Sequence, residues 1–206
     1  MKSKATVRGP SIITMLAIVV MMTAAAPFAF AQAGHVRWDI ISFPGTPFVV
    51  APGGMASATA NDGSHITLTG SGTFVAPAGG HGTSSAVTGG GKWTTYSSKG
   101  AVTGTGTYEV TGLVLWEPSS LPPGGPPPSP TDLIDPSDVR SSGLAVLRIA
   151  YSDGERGILV VSCESYLSPA SAYEGIHATK ELTDYNRPVA PIPGVNANRT
   201  LFHVEE

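Results

Sequence analysis

The chain has 206 residues, 12 Lys and Arg against 15 Asp and Glu, a net charge of −3 and a single cysteine. An acidic chain lacks the basic face that nucleic acid or anionic lipid requires. A lone cysteine excludes an internal disulfide, so packing must supply the stability.

In chain order, residues 1–33 are expected to be an export signal. Lys2, Lys4 and Arg8 give a positive start, the run Ile12 to Met22 is apolar apart from Thr14, and small residues follow. Ala29-Phe30-Ala31 and Ala31-Gln32-Ala33 offer cleavage sites of the small-x-small kind, so Ala31 and Ala33 are the candidate cleavage residues. The apolar stretch is shorter than the roughly 20 residues of a membrane anchor. No later segment is long and apolar enough for a span, and no cysteine stands near the cut for lipid attachment. The expected location is secreted or periplasmic. Cleavage removes three basic residues and no acidic one, leaving nine against 15, or −6, on about 173 residues. That length suits one domain, 34–206.

The mature part alternates with a period of two rather than at helical spacing. Ile66, Leu68, Gly70, Gly72 and Phe74 share one face, and Thr67, Thr69, Ser71 and Thr73 the other. The pattern recurs from Val102 to Trp116, with Gly104, Gly106, Tyr108, Val110, Gly112 and Val114 between them. Half-buried antiparallel strands read this way, and glycine on the inner face suits a sheet that coils sharply. Asp62-Gly63 and Asp153-Gly154 sit between alternating runs as hairpin turns. The predicted strands are 35–43, 55–61, 65–76, 86–96, 101–117, 143–151, 156–164, 173–183 and 199–205. The fold class is therefore all-β: a single antiparallel β-barrel, or alternatively a β-sandwich, of about eight or nine strands. Eight prolines between Glu117 and Pro136 interrupt the order. They predict a long extended loop, 118–136, acting as a solvated spacer. In 171–186 the Ser171 and Glu174 spacing matches a capping box, but Gly175 and the following turn residues favour a strand.

Residues that could carry chemistry are few. Alternation places Cys163 on the face of Leu159 and Val161, and turns Ser162 and Glu164 away, so neither neighbour activates it. Buried packing is its expected role. His35, His65, His81, His177 and His203 lack ligand-like spacing, so no metal and no cofactor is expected. Asp132, Asp135 and Asp138 lack the alternating oxygens of a calcium loop and read as a solvated acidic segment. Glu109, Glu164, Glu174 and Glu181 read by default as surface charge, although carboxylate pairing is a three-dimensional matter. Asn198-Arg199-Thr200 is a glycosylation sequon.

The stretches "LTGSGTFVAPAG" and "GTGTYEVTG" resemble the glycine-threonine strands of the dirigent and allene-oxide-cyclase type of β-barrel. That resemblance implies a secreted or plastid eight-stranded barrel that takes small apolar or phenolic ligands inside, and it supports a barrel over a sandwich. No catalytic residue carries over, and the proline loop departs from the pattern. The expected function is an exported, non-catalytic barrel that binds a small apolar or aromatic ligand. The alternatives are a structural or protein-binding module of the cell envelope and a barrel enzyme of isomerase or hydrolase type. Trp93, Tyr108 and Trp116 are the candidate ligand-binding residues, because the glycines beside them would leave volume that the aromatics border.

Overall fold

The computed structural model describes residues 34–44, 49–78, 82–123, 128–189 and 198–205, the last two strand residues before 190 by backbone alone. Ala31, Ala33 and His81 lie outside the described residues. Fifteen strands and no helix occur among those described. They are β1 Gly34–Ile40, β2 Val49–Val50, β3 Ala56–Thr59, β4 His65–Leu68, β5 Ser71–Ala76, β6 Gly90–Tyr96, β7 Val102–Pro118, β8 Thr131–Asp132, β9 Val139–Ser141, β10 Gly143–Tyr151, β11 Arg156–Cys163, β12 Gly175–Lys180, β13 Thr183–Tyr185, β14 Arg187–Val189 and β15 Thr200–Val204.

Thirteen strands join one sheet in the order β13, β12, β11, β10, β7, β6, β5, β1, β15, β9. In addition β4 pairs with β6 and β3, and β3 pairs with β14. All these pairings are antiparallel; β2 and β8 form a separate parallel pair. The long strand β7 pairs with β6 along its first half and with β10 along its second, so it links the two halves of the sheet. Tight turns at 60–64, 97–101, 152–155 and 181–182 gather at one end of the strands. The inward faces meet in one apolar core whose largest members include Trp38, Phe74, Phe202, Leu113, Leu147 and Leu159.

Several expectations need correction. All nine predicted stretches hold strand, one of them as two strands, and five more short strands accompany them: β2, β8, β9, β13 and β14. The stretch 65–76 is not continuous. At Gly70 the backbone takes a positive φ of 152°, and a side chain there would meet the Tyr108 hydroxyl and the Gly90 carbonyl oxygen. The break lets one run of chain pair first with β3 and then with β1.

Parity along β7 is interrupted as well. Its register against β10 shifts between Val146 and Leu147 and again between Arg148 and Ile149. Each bulge adds a residue and turns the following side chains over. After the shift at Arg148/Ile149 it is Leu113, not Val114, that is buried, and the shift at Val146/Leu147 brings Trp116 back inward.

The proline-rich loop is more than a spacer. Within it β8 pairs with β2, Leu133 N donates to Val50 O at 3.0 Å, and Ser142 Oγ donates to Leu121 O at 2.7 Å. Asp132 likewise is no solvated acid: its Oδ2 lies 2.8 Å from Nε2 of the fully buried His203. That contact ties the loop to β15, which strand alternation alone had no means of indicating.

Candidate functional site

Strand β11 delivers Leu159, Val161 and Cys163 inward, all three buried, as the alternation predicts. Its pairing with β12 ends at Ser162 opposite Gly175, while the pairing with β10 runs on to Cys163. The chain before β12 folds back across this gap. Gly175 has φ 112°, open to glycine far more than to other residues, and it sets Glu174 immediately outside the ladder.

Glu174 then joins three elements. Its Oε2 accepts from Glu164 N at 2.8 Å, and its Oε1 accepts from Thr200 N at 2.6 Å with Thr200 Oγ1 at 3.2 Å. The Thr200 hydroxyl also donates to Ser162 O at 2.6 Å. Among the described residues no backbone ladder connects β11 to β15, and these side-chain bonds bridge the two at that seam. The surface-charge reading of Glu174 is therefore overturned: the carboxylate serves one backbone donor just past the end of β11 and one at the start of β15, while the strand expected in 173–183 is present as β12.

Beside the seam lies a pocket of about 440 Å³. Ile41, Phe43 and Val50 come from the connection between β1 and β3, Pro123 and Pro130 from the proline loop, and Leu201 from β15. Cys163, Tyr166 and Thr200 add mildly polar surface, and Glu164, Glu174, Arg140 and Arg199 add charge. Burial pushes Glu174 up to about 7, against the opposing pull of the N–H bonds from Thr200 and Glu164 and of Arg199. Burial also raises the Cys163 thiol strongly, and the Glu174 charge adds to it. At neutral pH the thiol stays protonated, which removes it as a nucleophile.

The two guanidiniums are loosely held. Arg199 Nη1 stands 3.8 Å from Glu164 Oε1, and Arg140 Nε stands 3.9 Å from Asp132 Oδ2. Burial works against ionisation of Asp132, but the bonds from His203 and from the Ile134 N–H prevail and hold it below the usual carboxylate range. Among the described residues no group of three His, Cys, Asp or Glu gathers to hold a metal ion.

Trp93, Tyr108 and Trp116 are all buried, and they do not surround one space. Trp93 Nε1 donates to Thr107 O at 3.0 Å, and its ring carries Lys180 Nζ at 4.7 Å and Tyr151 at 5.7 Å. The Tyr108 hydroxyl donates to Thr69 O at 3.0 Å, and its ring is 6.4 Å from Tyr151. Trp116 sits further along β7, 5.5 Å from Phe74 and 4.5 Å from Phe202. Part of the volume expected beside the glycines is taken by the Trp93 ring, and Gly104 with Trp93 lines a small pocket by the turns. A side chain at Gly104 would stand 3.0 Å from the Trp93 ring, and one at Gly106 would stand 2.9 Å from its Nε1. These glycines make room for Trp93 itself.

A second, smaller pocket of about 280 Å³ lies by the turns, lined by Trp93, Thr95, Lys180, Asp153 and Tyr185 among others. Lys180 is buried there, with Nζ 2.6 Å from Asp153 Oδ2.

The chain matches no protein-family profile, no curated protein and no solved structure.

Proposed function

We propose that the chain is an exported, non-catalytic β-barrel that binds a small apolar molecule in the pocket at the seam between β11 and β15. The pocket carries this reading: about 440 Å³ with six apolar side chains on its walls, a size and lining usual for small-ligand sites. None of Trp93, Tyr108 and Trp116 lines this pocket; Trp93 borders only the smaller, more polar one by the turns. Barrel closure draws support from the run 183–189, in which β13 pairs with β12 and β14 pairs with β3, so the two sides of the sheet share one stretch of chain. Export draws support from the basic start, apolar run and small residues of 1–33.

One observation favours a catalytic role instead. Glu174, raised to about 7, shares a cavity with Cys163, and a carboxyl in that range can exchange a proton near neutral pH. Against it, both Glu174 oxygens are occupied by protein donors and the thiol is held protonated. Binding is therefore the better-supported function.

Isothermal titration of the purified chain with a panel of small apolar and aromatic molecules tests the reading. Saturable binding should appear, Leu201→Trp should abolish it by filling the pocket, and Leu182→Ser at the exposed turn end should leave it unchanged. A folded wild type that binds no member of the panel would return the chain to a structural or protein-binding role.

A further inference from the structure

The pocket is divided by polarity. Its apolar walls are deep, with Ile41, Val50 and Leu201 at 3%, 2% and 5% exposure, whereas the side chains of Arg140 and Arg199 keep 27% and 46%. A guest that fills the walls places its other end beside the two guanidiniums.

Among the described residues those guanidiniums have donors to spare. Each carries five N–H groups in a planar fork. Arg140 uses a 3.5 Å bond to Pro130 O and the 3.9 Å approach to Asp132, and Arg199 uses the 3.8 Å approach to Glu164. Arg37 in the same chain shows what a committed guanidinium looks like. It grips Asp39 through Nε at 2.7 Å and Nη2 at 3.0 Å, the two-point geometry that carboxylates favour. Acceptors are fewer. Both oxygens of Glu174 accept hydrogen bonds from backbone N–H groups, and Asp132, 3.9 Å from Arg140 but not itself on the pocket wall, is bonded by His203 and by the Ile134 N–H. Of the two acids that line the pocket, Glu164 keeps its carboxylate for a guest, with Arg199 3.8 Å away.

We infer that the guest ends in a carboxylate, received by Arg140 and Arg199 while its apolar body lies against Ile41, Phe43, Val50 and Leu201. An alcohol would satisfy fewer of the available donors. An amine would bring a third cation to the two guanidiniums and find no uncommitted acceptor except Glu164. Glu174 adds a condition: it faces Glu164 and Arg199, and its proton keeps a second negative charge away from the guest.

This inference rests on the proposed small-ligand reading, and one experiment separates the two. Decanoate, decanol and decylamine share a ten-carbon chain and differ only at the head. They are titrated calorimetrically into the full chain at a fixed pH below the Glu174 range. Decanoate should bind about tenfold or more tighter than decanol, and decylamine weakest, as expected for a charge-assisted pair at a partly desolvated site. Arg140→Gln and Arg199→Gln should each remove most of the decanoate advantage and leave the decanol affinity unchanged, which also shows that the variants remain folded. Equal binding of decanoate and decanol, or tighter binding of decylamine, overturns the carboxylate inference and leaves the apolar pocket standing. If none of the three binds to folded protein, both readings fall together.

Discussion

Glu174 couples the seam to pH. Its carboxyl is raised from an ordinary 4.5 to about 7 in the folded chain, so the folded state holds a proton that the unfolded state has released. Such a group contributes stability that is fully present below about 4.5 and lost as pH climbs towards 7. The contribution has an upper limit of roughly 3–4 kcal/mol, since each pKa unit is worth about 1.4 kcal/mol. Urea unfolding at a series of pH values should show Glu174→Gln flattening the curve across that window. The amide would also set an N–H against a backbone N–H, so about 1 kcal/mol of stability should be missing at the acidic end. An unchanged slope would mean the carboxyl titrates normally. Cys163 makes a simpler case. Its thiol is buried and raised by that burial, so a thiol reagent should label the native chain slowly and the urea-unfolded chain fast. Cys163→Ser should lose about 1–3 kcal/mol through a poorly satisfied hydroxyl, with Cys163→Ala milder.

At the scale of strands, close approach separates one glycine from another. A side chain at Gly91 would run into the Thr69 carbonyl and stand 2.8 Å from Gly70 Cα, backbone that cannot rotate away. At Gly112 the nearest atoms are 3.6 and 4.0 Å off, an ordinary contact. Gly91→Ala should therefore lower the unfolding free energy by about 1–3 kcal/mol, and Gly112→Ala should move it by less than about 0.5 kcal/mol. The proline-rich segment offers a second comparison. Asp132→Ala removes the bond to Nε2 of His203, whose Nδ1 has no partner of its own, and leaves a fully buried ring unsatisfied on both sides. About 2–3 kcal/mol should be lost, visible as a fall in Tm, whereas Asp138→Ala should leave Tm nearly unchanged. Proline spacing makes the break in the strand order legible, and among the described residues the segment holds only the two-residue strand β8 before β9. Docking was not legible, because the bond that pins the segment joins residues 71 apart in sequence.

For the whole molecule, the shared stretch 183–189 ties β12 to β3, and the seam bonds tie β11 to β15. Far-ultraviolet circular dichroism and tryptophan fluorescence should therefore report one coincident unfolding transition, with Trp38, Trp93 and Trp116 spread across the core. Two separated transitions would mean that the sheet folds as two units. From sequence alone came the all-β class, the positions of the main strands, the inward face of Cys163 and the shared side of Tyr108 and Trp116 on β7. Each follows from period-two alternation, which a strand imposes locally whatever its neighbours are. Tertiary structure alone decided the rest. Bulges in β7 reset which residues face inward, the ring of Trp93 took up space that Gly104 and Gly106 leave beside it, and Glu174, Arg140 and Arg199 met around a pocket from elements remote in sequence. Local periodicity reports which side of a strand is buried, but it carries no record of what the opposite strand places there.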